Sequence, residues 1–497
     1  MHKSTHIMAM LVASIGAIII AGTCQSARAA ETKADAKQTT EERFEIRNVE
    51  GWTVYTNRDV RTQHADMYAK TFEHLRWELY QTKLAVSPAA TANMQEKNAI
   101  WIEYSEKVNL SYHPSRNWLT GKGYTIPKDP ESFMSLSARS HVGDSYRHPF
   151  VIFHELAHGY DFHFIGKGET YGNDECEANY KRMMKTGTYE KVLIWNGRKG
   201  SHYARTNRME YFAESSEAYF AVNDIYPFVR AELREHDPKM ARLIERYWGV
   251  DPKQVVQLEK DLAAYKQSLA GSAEQKASKS SATNMPTTKY DKRTIKGWTV
   301  YVSPALTSQP GLCDTMVTLL TYKLHMINHF IAPDGQKQLH QVPIWLEAGG
   351  GGPYVQYRDD RSALRRELGN VEKFGAVEVR DPQRMLKWAL LQQSDVLHEL
   401  ALAYYDRFVL KDPKLRKKTA AAYAGAVKEG KYKSVLRFDG RYLAHPALQS
   451  EKEYFAEMME SYFLVNDHCP FIRCELKDQD AVGYALIADL WEGNPRR

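Results

Sequence analysis

The chain has 497 residues, 67 Lys and Arg against 61 Asp and Glu for a formal charge of +6, and 43% hydrophobic residues. Its charges are interspersed with no concentrated basic stripe, which argues against a nucleic-acid partner. The length suits two domains, and 5 cysteines are too few for a disulfide scaffold.

Residues 1–29 read as an export signal. His2 and Lys3 give a weakly basic start, residues 7–21 form an apolar run, and Ala27-Arg28-Ala29 offers small residues where a signal peptidase reads. Removing Lys3 and Arg28 takes the formal charge from +6 to +4. The run is too short for a comfortable membrane span and no other long apolar stretch follows. The mature protein is therefore expected to be extracytoplasmic, periplasmic or secreted, with no transmembrane span. Cys24 offers an alternative reading as a lipidation site, which Thr23 fits poorly. Cys469 and Cys474, five apart, are close enough in sequence for a bridge, though their spacing does not demand one.

A polar linker, 30–44, leads into a first domain over 45–270. Residues 51–56 alternate like a strand, and Tyr68, Phe72, Leu75 and Leu79 predict an amphipathic helix over 64–83. Residues 99–104 and 133–138 predict further strands. Pro149 is placed to open a helix running to Phe164, Arg208 begins a second periodic helix over 208–222, and a third is expected to start near Pro227. Residues 271–288, rich in Ser, Ala, Lys and Thr, read as a flexible linker, followed by a second domain over 289–497. The fold class is α+β, each domain a small sheet packed with helices.

The second domain repeats the first. Gly51-Trp52-Thr53-Val54-Tyr55 returns as Gly297-Trp298-Thr299-Val300-Tyr301, His154-Glu155-Leu156-Ala157 as His398-Glu399-Leu400-Ala401, and Glu210-Tyr211-Phe212-Ala213-Glu214 as Glu453-Tyr454-Phe455-Ala456-Glu457. Order and offset are kept, which marks a domain duplication.

His154-Glu155-Leu156-Ala157-His158 puts two imidazoles four residues apart on one helical face, with Glu155 placed as general base toward a metal-bound water. A catalytic zinc needs a third protein ligand and an open position. His163 falls on the opposite face of the helix, so the ligand must come from another element. The helix carrying Glu210, Ala213, Glu214 and Glu217 on one side is the source, with Glu210 the expected ligand. Asn207-x-x-Glu210 also fits a helix cap, and Glu214 and Glu217 also fit a solvated face.

Together with Tyr203, seven residues ahead of Glu210, and the run Glu210-Tyr211-Phe212-Ala213-Glu214, these motifs resemble the zinc peptidase domain of anthrax lethal factor and the related secreted Pro-Pro endopeptidases. The resemblance implies a zincin-like fold with one Zn2+ held by His154, His158 and Glu210, and Glu155 as base. It further implies that Tyr203 stabilises the oxyanion or assists proton transfer and that Glu214 orients a ligand histidine. The strand over 133–138 is a candidate to pair with an extended substrate. Tyr112-His113-Pro114 and Trp118 read as packing or cleft residues.

In the second copy Leu402 replaces the second histidine and Pro446 stands where the tyrosine is needed. His398, Glu399, Glu453 and Glu457 are then expected to persist as a buried hydrogen-bonded cluster in a degenerate domain, either a pseudo-peptidase that packs on, regulates or feeds substrate to the first copy or a plain structural spacer, with Tyr442 and His445 the only rescue candidates. The expected activity is that of an exported zinc metalloendopeptidase acting on protein or peptide. The alternatives are a non-catalytic peptide- or envelope-binding protein with a vestigial metal site, and a zinc amidase acting on a non-peptide envelope polymer.

Overall fold

Two residues with positive φ, Glu50 and Gly51, close the first hairpin of the chain, and Lys296 and Gly297 close its counterpart. Such two-residue turns match the twist of the strands they join. The computed structural model describes residues 43–122, 126, 132–270, 285–350, 352–366 and 370–491. The expected leader 1–29 with Cys24, and most of the polar stretches 30–44 and 271–288, lie outside the described residues.

In the first copy the strands are β1 (Phe44–Val49), β2 (Trp52–Asn57), β3 (Asn98–Glu103), β4 (Ser111–His113) and β5 (Ser132–Ser137), in the order β1-β2-β3-β5-β4. The outer pairs β1–β2 and β4–β5 are antiparallel and the inner pairs parallel. β5 is therefore interior, and the expectation that residues 133–138 present a free edge is corrected: the edge strand is β4. Helix α1 (Ala65–Ala85) spans the predicted amphipathic segment, α2 (Val151–Tyr160) carries the two histidines, and α3 (Arg208–Phe220) carries Glu210. Pro149 lies just ahead of α2, and Asp161–Ile165 continue α2 as a π turn. The helix expected near Pro227 is present. It is α4, Arg230–His236, preceded by extended Val229, and a longer helix α5 (Pro252–Ala270) follows.

The second copy repeats this arrangement strand for strand. β6 (Asp291–Ile295), β7 (Trp298–Val302), β8 (Ile344–Leu346), β9 (Val355–Tyr357) and β10 (Val377–Val379) run in the order β6-β7-β8-β10-β9 with the same directions. Helices α6 (Pro310–Phe330), α7 (Asp395–Tyr404), α8 (Glu451–Phe463) and α9 (Arg473–Gln479) correspond to α1, α2, α3 and α4. The molecule is thus mixed α/β, two five-stranded mixed sheets packed with helices. Trp52 and Trp298, from matching strand positions, are each fully buried. Among the described residues no helix is long and apolar enough to cross a membrane. Cys176, Cys313, Cys469 and Cys474 are all free thiols.

The copies meet about an approximate two-fold axis. Trp77 and Tyr322 hold the same position in α1 and α6, and their rings face each other at 6.3 Å. Trp77 also meets His325 at 6.0 Å, and the reciprocal pair Tyr80–Tyr322 meets at 5.6 Å. Such reciprocity is the signature of a symmetric dimer interface. A second patch joins Phe228 and Val229 to Phe471 and Ile472. Beside it Glu232 and Glu475, the third residues of α4 and α9, share a hydrogen bond; Glu232 Oε2 accepts from Phe228 N and Glu475 Oε2 from Phe471 N, each at 2.8 Å. Burial first, and then the neighbouring carboxylate, raises Glu232 well above the usual carboxyl range, so the pair holds a proton between them. A raised pKa gives stability that is complete below the unfolded value and lost as pH rises through the folded one. Glu232→Gln supplies the missing donor permanently. The fall in Tm between about pH 6 and about pH 9 should then be smaller in that variant than in the natural chain, and an equal fall would contradict the shared proton.

Candidate metal centre

The sequence places acids at Glu210, Glu214 and Glu217 on one face of α3, and the fold lays that face against α2. Asn207 caps α3, its Oδ1 accepting from Glu210 N at 2.9 Å. Capping uses the backbone of Glu210 and leaves its carboxylate free, so cap and ligand are not exclusive. The carboxylate reaches the two imidazoles: Glu210 Oε2 lies 3.0 Å from His154 Nε2 and 3.1 Å from His158 Nε2. All three donor atoms fall within 4.8 Å of one another. Ligands about 2.0–2.1 Å from a tetrahedral zinc are separated by about 3.3 Å, so this donor set fits a zinc-sized cation with small adjustment. Burial opposes a charge on Glu210, but hydrogen bonds to both imidazoles hold its carboxyl well below the ordinary range.

Behind His154 the structure departs from expectation. The carboxylate hydrogen-bonded to His154 Nδ1 is that of Glu217, and Glu217 Oε2 also accepts from His148 Nε2 at 2.6 Å. Glu214, expected to orient a ligand histidine, lies 3.9 Å from His154 Nδ1 and instead accepts from Asn223 Nδ2 at 2.9 Å. The reason is electrostatic. Two adjacent carboxylates in a dry space cannot both ionise. Glu217 has His148 and His154 beside it and is held low. Glu214 is pushed up to about 8 by burial and by the Glu217 charge, so it keeps its proton at neutral pH. Burial disfavours a charge on His148, yet Glu217 and Asp224 raise it to about 9. His148, His154 and Glu217 also lie close enough to one another to hold a metal.

Neither Glu214 nor Glu217 is on a solvated face; they are 2% and 0% exposed. Sequence reasoning missed His148 and Asp224, although Asn223-Asp224 recurs as Asn466-Asp467. Partners of metal-bound imidazoles are worth about 10–100-fold in affinity. Glu217→Gln should therefore weaken zinc binding by about that factor in a chelator competition, while Glu214→Gln changes it little; the opposite ranking would restore the role to Glu214.

Glu155, next to His154 on α2, accepts from the backbone N–H of Tyr112 through its Oε2 at 2.6 Å. The catalytic candidate thus sits between the three donors and edge strand β4. Tyr112 is buried, and its hydroxyl meets His163 Nε2 at 3.1 Å, while the same nitrogen lies 3.0 Å from Ser132 Oγ. Tyr203 opens a short 3-10 turn, is 49% exposed, and its ring centre is 6.5 Å from that of His154. Burial, then the Glu210 charge, raises its pKa, so the phenol stays protonated and can donate. The side chain of Trp118 lies outside what the structure describes.

The second copy keeps the frame and loses the convergence. His398 Nε2 lies 3.2 Å from Glu453 Oε2 and its Nδ1 2.6 Å from Glu460, the counterpart of Glu217. Glu399 Oε2 accepts from Tyr357 N on edge strand β9 at 2.6 Å, as Glu155 does from Tyr112. Leu402 packs against the core. Tyr442 does not return to the site; its hydroxyl donates to Glu235 of the first copy. His445 Nδ1 accepts from Ala447 N and caps the 3-10 turn Pro446–Leu448, as His202 caps the turn at Tyr203, and the residues that converge with His398 are Glu453 and Glu457. His398, Glu453 and Glu457 are mutually close enough for a cation. However, Glu457 is held by Asn466 at 2.9 Å, and burial with the Glu460 charge keeps it protonated. Lys266, reaching in from α5, pairs with Asp467, while Gln392 stands in the place of His148 and donates to the same carboxylate.

Comparison with family models, with curated proteins and with solved structures finds no match for this chain.

Proposed function

We propose that the chain is an exported zinc-dependent metalloendopeptidase whose chemistry belongs to the first copy, with a zincin-like fold of the lethal factor type. The observation that carries this reading is the convergence of His154, His158 and Glu210, from two separate helices, beside a carboxylate at Glu155 that is not one of the three. A zinc held there would supply a Lewis acid that polarises a carbonyl and makes a water acidic near neutral pH.

The protein groups then divide the work. Glu155 takes the proton from the attacking water on a carboxylate oxygen and passes it to the leaving amine. Tyr203, protonated and half exposed, donates to the developing oxyanion. Strand β4, at the edge of the described sheet and bound to Glu155, is where an extended chain would pair, which favours a peptide over a non-peptide polymer. The second copy, with Leu402 and Pro446 in the decisive places, is a pseudo-peptidase that packs on the first.

The full chain without its leader, loaded with zinc, is expected to cleave an unfolded protein and members of a peptide library. Chelation should abolish the activity and added Zn2+ restore it. A zinc-loaded chain inert toward both substrates, or cleavage indifferent to chelation, would overturn the reading.

A further inference from the structure

At one end of the interface between the copies four imidazoles crowd around a single carboxylate, none of them part of the metal centre. His74 on α1 lies with its Nδ1 3.1 Å from His325 Nε2 on α6, and its ring stacks on that of His329 at 4.2 Å. Its Nε2 is 3.7 Å from Glu78 Oε1, while Glu78 Oε2 accepts from His141 Nε2 at 2.7 Å. On the far side His329 Nε2 meets Ser145 Oγ at 3.1 Å and its ring stacks on Tyr146 at 4.0 Å. His74, Glu78 and His141 are almost wholly buried.

We infer that this interface is a proton-operated latch: His74, His325 and His329 join the two copies as neutral imidazoles and release them on taking up protons. The geometry carries the argument. A hydrogen bond between His74 and His325 requires one nitrogen to be an acceptor, and it cannot survive when both rings are cations. The charged and polar groups facing the three rings are Glu78 from α1, His141, Ser145 and Tyr146 from the segment after β5, and Lys296 from the β6–β7 turn, already paired with Glu73. Three imidazolium charges would meet one carboxylate, which His141 already occupies.

The titration agrees in sign. Burial, then the neighbouring histidines, drives His74 well below its usual value; burial takes His325 and His329 down to about 3 each. A depressed histidine pKa leaves docking at full strength above the free value of 6.5, and docking weakens as pH falls from there toward the docked values. A metal staple fits less well, since Glu78 faces the nitrogen of His74 turned away from His325 and the Nε2 of His329 is taken by Ser145. Residues 141–146 lead directly to His148, so the latch borders the segment that buttresses Glu217.

The test is small-angle scattering of the full chain without its leader, from about pH 8 to about pH 4.5, with helix content followed by circular dichroism. The natural chain should open from one compact body to two with unchanged helix content. In a Glu232→Gln background, which removes the opposing proton shared with Glu475 and in which all variants are compared, the docking constant should at its steepest fall toward about 10^3-fold per pH unit, one factor of ten per proton taken up. The double variant His325→Gln, His329→Gln should show a slope nearer tenfold per unit. Should that variant fail to fold, His329→Phe, which keeps the stack on Tyr146, should lower the slope toward about 10^2-fold. No opening down to about pH 4.5, opening only with loss of helix, or equal slopes with and without the histidine substitutions would each overturn the latch. None of these readouts needs metal or activity, so their failure is separable from failure of the peptidase proposal.

Discussion

Glu155→Gln is expected to lower kcat/KM by about 10^2–10^4-fold while leaving the metal content of the chain unchanged. Glutamine keeps the shape of the side chain and an oxygen to accept from Tyr112 N, so the link to edge strand β4 survives. What it cannot do is take a proton from water. The loss should therefore appear in kcat, with KM nearly constant, because substrate and transition state are still bound by the same edge and the same cation. Glu399→Gln, the matching change in the second copy, should leave turnover as it is. The two variants together locate the chemistry: activity that survives Glu155→Gln and vanishes with Glu399→Gln would move it to the second copy.

The second large effect is expected from His158→Leu, which imposes on the first copy the residue found at Leu402. His158 Nε2 is one of two imidazole nitrogens on the carboxylate of Glu210. With leucine there, two donors remain, and zinc affinity should fall by more than the about 100-fold typical of losing a mere partner of a ligand. The fold should tolerate the change, since the second copy packs leucine at this place against its own core. Metal analysis after dialysis should find zinc in the natural chain and none in the variant. Equal zinc in both would mean that the cation sits elsewhere, for instance between His148 and Glu217.

The internal repeat made the fold readable, because each copy serves as a check on the other: the same strand order recurs from β1–β5 to β6–β10. The spacing of Tyr68, Phe72, Leu75 and Leu79 marks α1, whereas α3 is buried on every side from Tyr211 to Phe220, with Glu214 and Glu217 held by asparagine and histidine rather than by water. β4 escaped notice because three residues cannot display an alternation, and with it went the true edge of the sheet. The helix expected near Pro227 starts at Arg230, because the chain stays extended through Val229 first.

In the site, His154, His158 and Glu210 were legible because ligand chemistry demands particular residues at particular spacing. The division of labour between Glu214 and Glu217 was not. Both are glutamates one turn apart, and what separates them is His148, 69 residues from Glu217 in sequence and beside it in space. The latch was hidden for the same reason: His74, His141 and His325 look like scattered polar positions until two helices from different copies bring them together.

The most direct test of the central claim is anomalous diffraction at the zinc edge from crystals of the natural chain grown with Zn2+. One peak is predicted in the first copy, about 2 Å from the Nε2 atoms of His154 and His158 and from a carboxylate oxygen of Glu210. A peak at His148 and Glu217, one confined to His398 and Glu453, or no peak in the first copy would contradict it.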